Sequence, residues 1–178
     1  MNAQMPEAWK VRLSRLVRRR PFNFLLALAV NLIVPRQRLG AALVTFNSDE
    51  EVLLLRHVFR PANPWGLPGG WLDRNESPSD CLKRELLEET GLQVDLGPPL
   101  LASYISPPSH VVIAYLGWLR PGRMNFSGEI LEACWFPLDR LPEPLWPFNH
   151  QAIAAGLDVI RSTPQRAAAR MDEGRQPA

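Results

Sequence analysis

The sequence predicts an α/β domain that is preceded by a helical N-terminal extension. Three observations support this prediction. Strand-like and helix-like segments follow one another from residue 39 onward, one of the helices has clear start and stop signals, and a basic, apolar segment precedes them all. The 178 residues, of which 46% are hydrophobic and 21% charged, match one ordinary globular domain and exclude global disorder, collagen and a coiled coil.

The predicted extension covers residues 1–38 and is strongly basic. Residues 1–40 contain eight lysines and arginines against one acid, whereas the rest of the chain contains 12 basic and 17 acidic residues. The pattern predicts a short basic helix that ends at Pro21. It is followed by an apolar segment over residues 22–34, which is shorter than the ~20 residues of a membrane span. We expect two helices packed on the domain; peripheral membrane contact and a contact between two copies remain alternatives.

The cysteines and the N-terminus bear on the cellular compartment. Cys81 and Cys134 have no spacing typical of a metal site, and a small disulfide scaffold would need more of them. The N-terminal segment also lacks the cleavage pattern of a signal peptide. We therefore expect a reduced, cytoplasmic setting.

The domain itself is predicted over residues 39–161, before a flexible tail over residues 162–178. Two strand-like runs, residues 39–46 and 52–59, are joined by a short turn-rich segment, which predicts a hairpin. The next segment is rich in proline, glycine, asparagine and aspartate and predicts a long loop over residues 60–77. A loop of this length inside a compact domain is usually functional.

A clearly bounded helix follows this loop. Ser77 is suited to cap its first turn, Pro78 to occupy the first helical position, and Gly91 to end it. Later segments predict three strands and a closing helix, over residues 100–105, 111–119, 133–136 and 151–160.

Three glutamates in the bounded helix point to chemistry. Glu85, Glu88 and Glu89 are spaced i, i+3 and i+4, which places their carboxylates on one face within a single turn. Like charges this close repel one another, and a hard divalent cation with oxygen ligands would relieve the repulsion. A solvated acidic helix face remains the alternative.

The neighbouring residues complete a known pattern. Residues 70–92 fit G-x5-E-x7-R-E-U-x-E-E-x-G-U at every position, where U is an aliphatic residue. This stretch resembles the Nudix box, so the chain is similar to Nudix hydrolases. The resemblance implies an α/β/α sandwich around a mixed β-sheet, in which the box forms a loop, a helix and a second loop.

The resemblance also implies roles for individual box residues. A Mg²⁺ or Mn²⁺ ion is expected to be held by four of them: Gly70 through its backbone, and Glu85, Glu88 and Glu89. Catalytic roles follow for Glu85, Glu88 and Arg84, with Arg84 orienting a carboxylate and Glu76 bracing the loop against the helix. A general base can also lie on a later loop, where Glu129 and Glu132 are the candidates; we assign Glu132 to the catalytic set, with an ordinary surface acid as the alternative.

Three residues before the box are candidates for substrate binding. Arg56 and Arg60 could donate hydrogen bonds to phosphate, or form ion pairs with box acids. Trp65 could stack on a base, although packing beneath the loop is the favoured interpretation. His57, His110 and His150 show no spacing typical of a ligand set, and we interpret them as structural or surface residues.

The resemblance implies hydrolysis of a diphosphate bond in a nucleoside diphosphate linked to another group. Pro107 and Pro108 lie 15 and 16 residues after the box, a feature of some ADP-ribose pyrophosphatases, which favours an ADP-ribose-like substrate. One alternative is a nucleoside triphosphate pyrophosphatase that clears oxidised nucleotides, with Trp65, Tyr104 and Trp118 lining a base pocket. A non-catalytic nucleotide-binding module is another, but it would usually carry a damaged box. Nucleic acid is not expected as a partner, and a homodimer remains open.

Overall fold

The computed structural model describes residues 20–34 and 37–162. The predicted basic helix within residues 1–19 and the predicted tail over residues 163–178 lie outside the described residues. The chain divides into two units, residues 1–36 and residues 37–178, and each is described by itself.

In the first unit, a single described helix, α1, covers Arg20–Ile33. Pro21, at which the predicted basic helix ends, lies in the first turn of α1. A proline fits there because the first turn has no intrahelical acceptor for its missing N–H. Within the described residues, no helix is long and apolar enough to cross a membrane.

The second unit contains seven strands and two helices within the described residues. In chain order they are β1 (Arg38–Val44), β2 (Val52–His57), β3 (Trp65–Gly66), β4 (Gly69–Trp71), α2 (Pro78–Thr90), β5 (Val94–Ile105), β6 (His110–Leu119), β7 (Ile130–Phe136) and α3 (Pro147–Ser162). The predicted loop over residues 60–77 thus includes two short strands, and β5 begins at Val94 rather than at residue 100.

The strands form two sheets with helices on opposite faces. A four-stranded sheet has the order β4-β1-β6-β5, and a three-stranded sheet has the order β3-β2-β7. The first sheet is mixed, because β1 is parallel to β6 and antiparallel to β4. Along β1, Ala41 and Leu43 pack in the cluster that contains α2, whereas Ala42 and Val44 pack in the cluster that contains α3. The predicted α/β/α sandwich around a mixed sheet is therefore confirmed.

The predicted hairpin between β1 and β2 is confirmed only at its turn. The two strands lie in different sheets and share only an isolated bridge between Phe46 and Val52. The side-chain oxygen of Asn47 accepts hydrogen bonds from the backbone N–H groups of Asp49 and Glu51, at 3.0 and 2.9 Å. These bonds stabilise a tight turn. The chain turns a corner here because both edges of β1 are already paired, with β4 and β6.

Helix α2 has the predicted bounds. The Ser77 hydroxyl accepts a hydrogen bond from the Asp80 backbone N–H at 3.2 Å, and Gly91 ends the helix in a left-handed conformation at φ 74°. Cys81, Leu82 and Leu86 are fully buried beneath the helix. This packing fixes the rotation of α2 and therefore the direction in which its glutamates project.

Candidate active site

Arg84 joins the box loop to the box helix. Its guanidinium donates two hydrogen bonds to the Glu76 carboxylate, at 2.8 and 2.9 Å, and one to Glu85 Oε1 at 2.9 Å. A further bond reaches the carbonyl oxygen of Trp71 at 3.1 Å. These hydrogen bonds lower the pKa of Glu76 to about 2 and raise that of Arg84. A planar, permanently charged side chain thus holds the loop and one box carboxylate in a fixed relation.

Gly70 lies directly against the Glu85 carboxylate. A Cβ atom at position 70 would be 2.3 Å from Glu85 Cδ and from Oε1. No side chain can be accommodated at that distance without displacing the carboxylate. Glycine therefore allows the loop backbone to approach this carboxylate closely.

The other two box glutamates occupy contrasting environments. Glu88 is largely exposed, and its carboxylate contacts Arg84 Nη1 at 3.5 Å. Glu89 is buried, and its Oε2 accepts the Gly69 backbone N–H at 3.3 Å. Burial, together with nearby Glu85, raises the pKa of Glu89 to about 7 although the Gly69 bond opposes this.

His57 lies beside Glu89 in the same buried region. Its Nδ1 is 3.9 Å from Glu89 Oε1, and its Nε2 is buried with no hydrogen-bond partner among the described residues. Burial, and secondarily the charge of Arg60, lower the pKa of His57 to about 4. His57 is therefore an uncharged neighbour of the box at neutral pH.

The box residues fit a hard divalent cation by their chemistry. Three carboxylates and the Gly69–Gly70 backbone supply oxygen ligands only, as Mg²⁺ and Mn²⁺ prefer. Among the described residues, no three acidic, histidine or cysteine side chains converge closely enough to hold a metal ion. Arg84 pairs with Glu85, and Glu88 projects toward solvent.

A cavity of about 420 Å³ opens beside the Gly69–Gly70 backbone. This volume is within the ~300–1,000 Å³ typical of small-molecule sites. Its aromatic and polar walls come from distant parts of the chain: Arg60, Asn63, Trp71, His110, Trp146, Phe148 and Asn149. Pro107 and Pro108 also line it.

Trp71 and His110 form one wall of the cavity as a pair. Their ring centroids are 4.6 Å apart in an edge-to-face arrangement. His110 Nδ1 also contacts the carbonyl oxygen of Pro108. Sequence reasoning interpreted His110 as structural or surface; it is nearly buried and faces the cavity.

The two arginines that were predicted to bind substrate lie in different places. Arg60 lines the cavity, and the negative charges of Glu89 and Glu129 act on it. Arg56 is about half exposed, pairs with Glu132 at 3.6 Å and does not line the cavity. The reason is strand alternation, since His57 takes the face toward the box and Arg56 takes the opposite one.

The same comparison bears on the choice between Glu129 and Glu132. This residue lies opposite Arg56 in the ladder between β2 and β7, and it accepts a hydrogen bond from Cys134 Sγ at 3.2 Å. Glu129 is the acid outside the box whose charge reaches Glu89 and Arg60. A register shift between Arg56 and His57 separates the two positions, and sequence alone gives no signal for it.

The aromatic residues also differ from expectation. Trp65 packs edge-to-face on Phe136, with ring centroids 4.8 Å apart, and is not among the residues that line the cavity. Tyr104 and Trp118 do not line it either. The aromatic walls come from Trp71 and from α3 and the segment before it, none of which sequence reasoning selected. Of these residues, only Trp71 could have been selected from the sequence, because it directly follows Gly70.

Comparison with known proteins decides the family. The profile of the NUDIX domain matches residues 36–156. The chain belongs to the Nudix family. The resemblance carried by the box is therefore confirmed.

Relatives carry the names of several nucleotide-derivative enzymes. A GDP-mannose pyrophosphatase from Yersinia enterocolitica is 39% identical over 77 residues, which are 38% of this chain and 40% of the relative. An 8-oxo-dGDP phosphatase from Homo sapiens is 33% identical over 107 residues, which are 57% of this chain and 33% of the relative. The chain thus spans less than half the length of these curated relatives.

Among solved structures, an ADP-ribose pyrophosphatase from Streptococcus suis is similar over most of its length. It is 27% identical, with a TM-score of 0.60, and the match covers 72% of this chain and 95% of that one. The described fold is thus similar to that of this solved structure over most of its length.

Proposed function

We propose that the chain hydrolyses a diphosphate bond in a nucleoside diphosphate derivative, with Mg²⁺ as the favoured ion and Mn²⁺ as its substitute. The observation that carries the proposal is the intact box next to a cavity of about 420 Å³, with Gly69 and Gly70 between them. Carboxylates alone would suit many metal sites, and a cavity alone would suit many ligands. Because the Gly69–Gly70 backbone borders both of them, a diphosphate bound in the cavity would lie next to the metal ligands.

The residues of the site have separate proposed roles in holding the ion and in binding phosphate. When bound, the divalent ion neutralises phosphate charge and lowers the pKa of water. Glu85, Glu88 and Glu89, with the Gly70 backbone, would hold it, and Arg84 keeps Glu85 oriented through the 2.9 Å bond. Arg60, beside the buried Glu89, is suited to donate hydrogen bonds to phosphate oxygens.

The general base would be an acid that can reach the attacking water, either a box glutamate or Glu129. Electrostatic interaction of Glu129 with Glu89 and Arg60 supports it over Glu132. A base must come within hydrogen-bond reach of the water that it deprotonates, and Glu132 is instead paired with Arg56 at 3.6 Å.

An ADP-ribose-like molecule is the favoured substrate. Pro107 and Pro108, which follow the box at the spacing found in some ADP-ribose pyrophosphatases, line the cavity. Trp71, Trp146 and Phe148 supply aromatic faces for a base or a sugar. The similarity to a solved ADP-ribose pyrophosphatase adds support. The second candidate, a phosphatase for oxidised nucleotides, is favoured by the human 8-oxo-dGDP phosphatase relative.

A substrate panel with products identified by mass tests the proposal. It should contain ADP-ribose, GDP-mannose, dinucleoside polyphosphates, NADH, coenzyme A, and ordinary and 8-oxo nucleotides, each with Mg²⁺ and with a chelator. We expect ADP-ribose to give AMP and ribose 5-phosphate only with metal. Preferred cleavage of an 8-oxo nucleotide would replace the substrate assignment. Nucleotide binding without any turnover would reject the enzyme in favour of a binding module.

A further inference from the structure

Helix α1 is exposed over nearly its whole apolar surface. Its 14 residues, RPFNFLLALAVNLI, contain no charged side chain after Arg20. The exposed fraction is 70% for Phe24, 77% for Leu32 and 78% for Ile33, and most other large apolar residues of the helix are also exposed. Contiguous apolar surface of this kind usually marks an interaction site.

The apolar residues do not form a single stripe. Successive helical residues are about 100° apart, so Phe24, Leu25 and Leu26 project in three different directions. All three are more than half exposed. A helix that is apolar all round is typical of a buried or lipid environment rather than of a helix resting on a protein surface.

Positive charge flanks the apolar helix at both ends. Arg18, Arg19 and Arg20 come immediately before its apolar part, and Arg36 and Arg38 follow it closely. Within the first 40 residues, only one acid opposes eight basic residues. Arginines at the ends of an apolar helix can reach lipid phosphates while the helix enters the acyl region.

We propose that α1, with the arginines that flank it in the sequence, attaches the chain to an anionic lipid bilayer by entering one leaflet. At 1.5 Å per residue the helix is about 21 Å long, too short to cross the ~30 Å hydrocarbon core, so it would lie along one leaflet with both of its arginine-flanked ends at the headgroups. Charge favours lipid over a second copy, because a dimer through α1 would bring two strongly basic segments together, whereas anionic headgroups neutralise them. The proposal is independent of the proposed hydrolysis.

Vesicle co-sedimentation of the full chain tests the proposal. We expect binding to vesicles of phosphatidylcholine with phosphatidylglycerol, weaker binding at higher salt, and little binding to phosphatidylcholine alone. Arg18→Gln/Arg19→Gln/Arg20→Gln should lower the partition coefficient ~100-fold, at about a factor of five for each arginine. Phe24→Ser/Leu28→Ser, which removes exposed apolar side chains, should lower it at least ~10-fold.

Matched control variants in the second unit distinguish attachment through α1 from nonspecific electrostatic or hydrophobic binding to vesicles. Lys83→Gln/Arg123→Gln/Arg140→Gln removes three exposed charges, and Tyr104→Ser/Leu131→Ser removes two exposed apolar side chains. Both controls should bind vesicles within ~2-fold of the unchanged chain. Equal losses in controls and α1 variants would overturn the proposal, as would no binding to anionic vesicles. A lipid-free dimer by sedimentation velocity that Phe24→Ser/Leu28→Ser abolishes would also overturn it, in favour of a second copy.

Discussion

The Nudix box and the cavity beside it are built in opposite ways. The box is one continuous stretch, residues 70–92, and its charges are largely paired within the stretch, as the contacts of Arg84 with Glu76 and Glu85 illustrate. The cavity is assembled from residues between Gly40 and Asn149. The comparison indicates that the chemistry is encoded locally, whereas the choice of substrate depends on the fold. Variants in one region should therefore affect turnover, and variants in the other should affect binding.

The largest effect is expected from Glu88→Gln. The change removes charge from the proposed metal site while it keeps size and helix propensity, so kcat should fall at least ~100-fold. Glu88 is 62% exposed, so the free energy of unfolding should change by less than ~0.5 kcal/mol. Steady-state kinetics with Mg²⁺ and urea unfolding check both. Near-wild-type kcat would remove Glu88 from the site, and Glu143→Gln, an exposed glutamate elsewhere, serves as the control.

The second effect concerns the approach of the loop to the box helix. Gly70→Ala places a Cβ atom 2.3 Å from the Glu85 carboxylate, which must move, so kcat should fall ~10- to 100-fold. Gly128→Ala is the matched control, because nothing lies within 4 Å of a Cβ atom at position 128. Equal activity of the two variants would show that the position of Glu85 is unimportant for turnover.

The third prediction separates the two arginines. Arg60→Gln should raise KM about 10-fold, the loss expected for one charge-assisted hydrogen bond to phosphate, because Arg60 lines the cavity. Arg56→Gln should leave KM within ~2-fold, since its partner is Glu132. Kinetics of both variants with the best substrate of the panel measure this difference. A larger effect at Arg56 would contradict the described geometry.

The smallest effect is a pH dependence of stability from Glu76. Its folded pKa, about 2, is lower than the ordinary 4.5, so the unfolded chain binds more protons between these values. The bond to Arg84 therefore stabilises the fold fully above pH 4.5 and progressively less as the pH falls toward 2. Urea unfolding of the metal-free chain should be measured from about pH 6 to about pH 3. The free energy of unfolding of the wild type should exceed that of Glu76→Gln, and this difference should decrease as the pH falls. A constant difference would mean that ionisation of Glu76 does not contribute.

Much of the box could be predicted because its determinants are contiguous. Ser77 and Gly91 bound α2 as expected, and the glutamate spacing placed the carboxylates on one turn. The cavity could not be predicted, because Trp146 and Asn149 reach it only through packing of α3 and the segment before it on the sheet. The positions of Glu129 and Glu132 relative to the box depend on a register shift in the ladder between β2 and β7, for which the sequence gives no signal.

The most direct test of this division measures binding in the absence of turnover. ADP-ribose with Mg²⁺ should be titrated calorimetrically into Glu88→Gln, and into the same variant that also carries either Arg60→Gln or Arg56→Gln. We predict that Glu88→Gln binds ADP-ribose, that adding Arg60→Gln weakens binding about 10-fold, and that adding Arg56→Gln changes it less than ~2-fold. Equal losses from the two arginine changes, or no binding by Glu88→Gln, would contradict the account.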